Sequence, residues 1–184
     1  MDKKVSFNDE LLILVDSDGS EVGAMSKEEC HQGEGRLHRA FSVFLLNSSE
    51  QILLTQRSSE KLLWPGYWSN SCCSHPRKGE SDFAAAIRRV DEELGMSAEL
   101  QEIYEFEYQA SYLDIGSEHE LCKVYLGRSD SDVSVNKNEI SDFKWMSIDE
   151  IDDLMSSESD VITPWFRMEW NCLRQNYADG FKKL

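Results

Sequence analysis

Apolar positions along the chain follow two periods, and the switches between them predict its elements. Leu11–Val15 is a short apolar run closed by the turn sequence Asp16-Ser17-Asp18-Gly19, and it reads as a buried strand. Ala40–Leu46 and Gln51–Gln56 read as two more strands, joined as a hairpin through Asn47-Ser48-Ser49-Glu50. Trp64-Pro65-Gly66-Tyr67-Trp68 is a stiff aromatic loop, and Ser69–His75 follows it as an extended or irregular stretch. Ser81–Leu94 has helical spacing: Phe83, Ile87, Val90 and Leu94 form one apolar face, with Ser81 as N-cap and Gly95 as C-cap. Tyr104–Ser111 and Glu120–Gly127 are predicted strands with a loop between them, and Phe143–Met146 fits another. Ser147 caps a predicted helix from Ile148 to about Met155. Pro164 opens a last helix that carries Trp165, Trp170 and Leu173 and ends near Gly180. This mixture of strands and helices predicts an α/β or α+β sandwich.

Composition sets bounds on this picture. A chain of 184 residues fits one domain and is long enough to bury a core. A hydrophobic fraction of 40% argues against disorder. The formal net charge of -16 predicts repulsion from nucleic acid and no stable association with anionic membranes. An anionic small-molecule substrate would then need local cations or metal at its site. Five cysteines in no regular framework argue against a secreted disulfide scaffold and predict free thiols in a reducing cytoplasm. Met1–Glu10 is polar and lacks the apolar core of a signal peptide; residues 1–9 are expected to be a flexible N-terminus. No apolar run approaches membrane-spanning length, and no interface stripe decides between monomer and homodimer.

Candidate chemistry gathers around four histidines. His31 and His38 flank the Gly-rich stretch Gly33-Glu34-Gly35, and His75 follows Cys73-Ser74. His119 stands between Glu118 and Glu120. If that segment is extended, the two carboxylates share a side and His119 faces away. Two carboxylates on one face repel unless a proton or a metal neutralises them. Three imidazoles and two carboxylates would make a divalent-metal site, and nitrogen-rich ligation favours zinc, manganese or iron over magnesium. The spacing is equally that of surface histidines and solvated acids, so it leaves both readings open. Adjacent Cys72 and Cys73 would face opposite ways in a strand, with Cys73 on the side of His75.

The Ser81–Leu94 helix adds Arg89, Glu92 and Glu93 on one flank, with Glu80 and Arg88 beside them; a solvated charged face is the alternative. Ser74–Met96 resembles the Nudix box, with Glu80, Arg88, Val90, Glu92, Glu93 and Gly95 in place. It departs where Ser74 replaces the first Gly and Arg89 replaces the second Glu. Nudix hydrolases cluster carboxylates to hold metal ions, so a cation at 89 disfavours diphosphate hydrolysis and favours diphosphate binding.

Four segments sharpen the resemblance. Trp64-Pro65-Gly66-Tyr67-Trp68-Ser69-Asn70-Ser71-Cys72-Cys73-Ser74-His75-Pro76, Arg36-Leu37-His38-Arg39-Ala40-Phe41-Ser42, Glu118-His119-Glu120-Leu121-Cys122 and Thr163-Pro164-Trp165 together resemble the type I isopentenyl diphosphate isomerases, in family order. The resemblance implies a Nudix-type α/β/α sandwich with a mixed sheet, and a C-terminal helix over residues 163–180 covering the active site. It implies a divalent metal (magnesium, manganese or zinc) on His31, His38, His75, Glu118 and Glu120. Glu93 is implied to hold a second magnesium ion with the substrate diphosphate. Cys73 and Glu120 are implied as the catalytic pair on opposite faces of the substrate, with Tyr108 and Trp170 as active-site aromatics. Lys27, Arg57, Lys61 and Arg89 match the family's diphosphate-binding cations. The expected reaction moves the double bond of isopentenyl diphosphate to give dimethylallyl diphosphate. No flavin is expected: the chain is too short for the barrel of the flavin-dependent isomerases. A Nudix hydrolase or a non-catalytic binding module on the same scaffold are the competing expectations.

Overall fold

The computed structural model of the chain describes residues 3–157, 161–178 and 180–183. Its elements run β1 (Leu11–Val15), β2 (Glu21–Ser26), α1 (Lys27–Cys30), β3 (His38–Leu46), β4 (Gln51–Arg57), β5 (Trp68–Ser69), β6 (Cys72–Ser74) and α2 (Asp82–Leu94). They continue with β7 (Glu99–Tyr112), β8 (Gly116–Arg128), β9 (Ile140–Ser147), α3 (Ile148–Ser156), α4 (Pro164–Asn176) and α5 (Gly180–Lys183).

Strand β3 is buried at every position but Arg39, and Ala40–Leu46 is apolar except for Ser42, which is the pattern of a strand covered on both faces. It sits inside one mixed nine-stranded sheet. It pairs in parallel with β8 from His38↔Glu120 to Leu46↔Arg128, and antiparallel with β6 through Ser42↔Cys73. Its residues alternate between two cores. Ala40, Phe44 and Leu46 pack with Trp165, Phe166, Trp170 and Leu173 of α4 and Ile151 of α3. Phe41, Val43 and Leu45 pack with Ala85, Ala86, Val90 and Leu94 of α2. Helices therefore cover both faces of a mixed sheet, as the expected α/β/α sandwich requires.

Several boundaries differ from expectation. Phe83 and Ile87 are 49% and 38% exposed, so the inward face of α2 is not the one their size suggested. That face carries Ala85, Ala86, Arg89, Val90, Glu93 and Leu94. α2 packs on β3 and β6, where small side chains let the backbones approach, and Phe83 instead lies edge-on to Tyr125. The caps are as expected: Ser81 Oγ accepts from the Ala84 amide, and Gly95 adopts φ 62°.

Strands β7 and β8 are longer than predicted. Tyr104–Ser111 extends to Glu99–Tyr112, and Glu120–Gly127 begins already at Gly116. β7 pairs only with β8, so it is an edge strand whose polar half is solvated and shows no clear apolar alternation. β2 escaped prediction for the same reason.

The last helix ends at Asn176, capped by Tyr177, rather than near Gly180, which opens the separate turn α5. The expected N-terminal tail is held from residue 3 onward, with Val5 buried; residues 1 and 2 of that segment, and residue 179 of the expected C-terminal helix, lie outside the described residues. Among the described residues, no helix is long and apolar enough to cross a membrane.

Candidate active site

Strand parity brings the chemistry together. In β8, Glu118, Glu120 and Cys122 share a side. Register sets Glu120 beside His38 and Cys122 beside Ala40, on the α4 side of the sheet. In β6, Cys73 pairs with Ser42 on that same side, while Cys72 pairs with Val43 and joins the opposite core. Because β8 occupies one edge of β3 along its length, β6 must use the other. Cys73 and Glu120 therefore flank β3 from its two edges. His119 points outward, 3.1 Å from Glu107 Oε1, as its alternation predicts.

His31 reaches the same place from the loop after α1. Its carbonyl accepts from the Ser117 amide at 3.0 Å, and a Cβ on Gly116 would stand 2.4 Å from that carbonyl oxygen. Only glycine permits this approach. The rings of His31, His38 and His75 lie 4.8–5.3 Å apart by centroid. Their ligand atoms and a carboxylate oxygen of Glu118 all fall within 4.8 Å of one another.

The donor set fits a divalent cation. His31 Nε2, His38 Nε2 and Glu118 Oε2 are buried without a hydrogen bond, though His31 Nε2 and Glu118 Oε2 are only 2.9 Å apart. Converging buried lone pairs are costly unless something positive joins them. The Arg36 carbonyl at 2.6 Å can only accept, so it fixes the proton of His38 on Nδ1 and leaves the Nε2 lone pair facing the cluster. Glu120 completes the cluster, with Oε1 2.8 Å from His75 Nε2 and 3.8 Å from His38 Nε2.

Electrostatics follow from burial. Desolvation, then the neighbouring His31 ring, lowers His38 to about 4. Desolvation, reinforced by His38, holds His75 well below its usual range. Burial and then the Glu118 charge push Glu120 well above the usual carboxylate range. For Glu118, burial acts upward but is outweighed by the imidazoles, His31 foremost, so it stays ionised. The Tyr108 hydroxyl donates to Glu120 Oε2 at 2.6 Å. Burial raises the Cys73 thiol to about 12, so it carries its proton at neutral pH.

These groups open on a cavity of about 640 Å³ lined by His31, His75, Glu118, Glu120, Cys73, Tyr108 and Trp165. All four predicted cations, Lys27, Arg57, Lys61 and Arg89, line it as well. Arg57 donates to the carbonyls of Leu63 and Trp64 and lies 5.1 Å from the Trp165 ring centre. Arg89 grips Glu93 Oε1 at 2.6–2.8 Å and lies 3.3 Å from Glu139, which also pairs with Lys61. Glu93 does not reach the main cavity; it borders a small pocket of about 20 Å³ behind Cys73. The other charges of the Nudix-like segment hold structure, since Arg88 binds both oxygens of Glu80 at 2.7 Å and Glu92 at 2.8 Å.

Trp170 stands elsewhere than expected. It is fully buried against Phe44, Phe166 and Phe181, and its indole N–H donates to Asp152 at 2.8 Å. The α4 aromatic on the cavity is Trp165, whose indole donates to Ser69 Oγ at 3.0 Å. Trp64 is buried against Trp165, and Trp68 lies beneath Lys144, so neither forms the cavity wall. Three residues had no assigned role from sequence: Trp165, Glu139 and the fully buried Glu169 of α4, which accepts from Cys122 at 3.8 Å. The Thr163-Pro164-Trp165 motif was the available signal for the first; the two glutamates carry none.

Comparison with known proteins identifies the family. The NUDIX domain family matches residues 36–166. An Isopentenyl-diphosphate Delta-isomerase of Serratia proteamaculans is 44% identical over 176 residues, covering 96% of this chain and 98% of that protein. Isopentenyl-diphosphate Delta-isomerase 1 of Photorhabdus laumondii is 41% identical over 172 residues, covering 92% and 98%. A crystal structure from Deinococcus radiodurans superposes with a TM-score of 0.72 at 22% identity, covering 89% of this chain and 99% of that one, a likeness of fold. The chain belongs to the Nudix family and, within it, to the isopentenyl-diphosphate Delta-isomerases.

Proposed function

We propose that this protein interconverts isopentenyl diphosphate and dimethylallyl diphosphate, with Cys73 and Glu120 as the proton-handling pair. The observation that carries this reading is their placement at the two edges of β3, on one face of the sheet, both lining one cavity with the four cations. A five-carbon chain lying between them would present one side to the thiol and the other to the carboxyl.

In the forward direction one member of the pair delivers a proton to C4 of the alkene, leaving a tertiary cation at C3. The other removes a proton from C2, and the electron pair of that C–H bond becomes the new double bond. Both groups are raised by burial, so each is able to hold a proton at neutral pH. Neither is a strong acid, so stabilising the cation must supply most of the acceleration. The face of Trp165 is the aromatic surface offered to it, worth on the order of 2 kcal/mol in a dry site. Tyr108 holds Glu120 by its Oε2, leaving Oε1 to the histidine cluster.

His31, His38, His75, Glu118 and Glu120 would hold the divalent ion, which when bound supplies positive charge that fixes these carboxylates. Glu93 would hold a second ion, magnesium, from the small pocket it borders, which shares Arg57, Lys61, Cys73 and Glu139 with the main cavity and so adjoins the diphosphate. Lys27, Arg57, Lys61 and Arg89 would bind the diphosphate oxygens. Five free cysteines accord with a reducing cytoplasm as its site of action. Incubation with isopentenyl diphosphate and a divalent metal tests the reading. Appearance of dimethylallyl diphosphate supports it; release of inorganic phosphate or diphosphate would point to a hydrolase instead.

A further inference from the structure

The segment from Lys4 to Asn8 is built into the cavity. Lys4, Ser6 and Asn8 all line it, while Val5 between them is buried. Lining at every second residue is the spacing of an extended chain with one face to the cavity. Backbone bonds fix the segment at three points. The Lys3 carbonyl accepts from Asn136 Nδ2 at 2.7 Å, the Val5 carbonyl from Arg89 Nη1 at 2.7 Å, and the Asn8 carbonyl from the Glu28 amide at 3.0 Å. Ser6 Oγ accepts from Lys27 Nζ at 2.6 Å. Two of the four cations proposed for the diphosphate are thus held directly by this segment.

Charge balance gives the segment a purpose. Lys61 pairs with Glu139, and Arg89 with Glu93 and Glu139, so much of their charge is already compensated within the protein. That leaves Lys27 and Arg57 of the four, on a cavity wall that also carries Glu28, Glu60, Glu118, Glu120 and Glu139, so a diphosphate there gains from further positive charge. Lys4 lines the same wall with its Nζ over the Phe7 ring, 5.4 Å from the ring centre and within a side-chain rotation of an anion, and Ser6 brings a hydroxyl whose proton is free to turn toward an anion while its oxygen accepts from Lys27.

We propose that residues 4–8 form a wall of the diphosphate site, in which the Lys4 ammonium and the Ser6 hydroxyl contact the substrate's phosphate oxygens and the Val5 carbonyl sets the direction of Arg89. This rests on the diphosphate reading given above, and it adds ligands that the cation set did not include.

The test measures inorganic diphosphate binding by calorimetry, and the KM and kcat for isopentenyl diphosphate, on the full chain with divalent metal. Lys4→Ala weakens diphosphate binding and raises KM about tenfold, the worth of one charge-assisted hydrogen bond, with kcat within about twofold. Lys4→Arg retains binding, and Ser6→Ala weakens it by a smaller factor. Lys3→Ala, which removes the same charge one position out of phase, leaves both constants unchanged. The proposal is overturned if Lys4→Ala binds diphosphate as the native chain does, or if Lys3→Ala weakens it equally. Double-bond transfer by a native chain whose affinity ignores Lys4 would sink the wall alone. Lys4-dependent diphosphate binding without any double-bond transfer would sink the assigned reaction and leave the wall standing.

Discussion

Tyr108 and Glu120 form a hydrogen bond of 2.6 Å across the β7–β8 ladder, where they are register partners. The bond ties down Oε2 of a buried carboxyl whose other oxygen faces His75. Removing the hydroxyl frees Glu120 to rotate away from the cavity. Tyr108→Phe is expected to lower kcat by about 10²-fold, in the range for losing control of a general acid–base group, with KM for isopentenyl diphosphate little changed. Steady-state kinetics would show this split; an equal rise in KM would mean that Tyr108 acts on substrate binding.

Trp165 and Trp170 are separated by five residues of α4, about 140° around a helix, so both cannot face the cavity while the helix is regular. Trp165 faces it and Trp170 anchors the core. Trp165→Ala is expected to reduce kcat by about tenfold or more through loss of the aromatic face over the cation, and also to destabilise by roughly 3–5 kcal/mol because the ring is buried in the core. Trp170→Ala is expected to destabilise by roughly 3–5 kcal/mol. Trp170→Phe, which keeps most of the buried volume, retains kcat. Thermal melts alongside kinetics separate these cases, and a kcat loss confined to the Trp170 variants would reverse the assignment.

Glu169 gives a pH-dependent stability. It is completely buried, and desolvation raises its carboxyl from 4.5 to about 8 against the opposing hydrogen bonds from Ser42 and Cys122. Below pH 4.5 the group is protonated in both folded and unfolded chains and favours neither. Between that point and about 8 the unfolded chain ionises while the folded one keeps its proton, so Glu169's contribution to stability is lost as pH rises. Glu169→Gln removes this dependence. Its melting temperature should exceed the native value by more at pH 8.5 than at pH 5, with each kcal/mol worth about 2–4 °C in a chain of this size. A constant difference across that range would show that Glu169 does not stay protonated in the fold.

The parts of the site that sequence revealed are those written in strand parity. Glu118-His119-Glu120 and Cys72-Cys73 each state by alternation alone which side chains share a face, and the register places them as read. The central strand was equally plain because burial on both faces leaves an apolar run from Ala40 to Leu46 broken only by Ser42. Edge strands such as β7 carry no such pattern. The choice of inward face on α2 was misread because Phe83 and Ile87 outweigh Ala85 and Ala86 in size, while the sheet accepts the smaller pair. Glu139 and Glu169 were illegible for a simpler reason. A single carboxylate has no period, and only tertiary packing decides that one becomes a counter-ion for two cations and the other a buried neutral acid. The N-terminal segment read as flexible because its polarity conceals backbone carbonyls that bind Arg89 and Asn136.

Cys73 and Glu120, standing at the two edges of β3, are proposed to share the proton transfers of the double-bond shift. The most direct measurement is the initial rate of dimethylallyl diphosphate formation by the native chain, Cys73→Ala and Glu120→Gln at saturating isopentenyl diphosphate and divalent metal. Binding of inorganic diphosphate to each is measured in parallel. The expected result is a fall of about 10³-fold or more in both variants, with diphosphate still bound. Native-like turnover by either variant would remove that residue from the proton-handling pair.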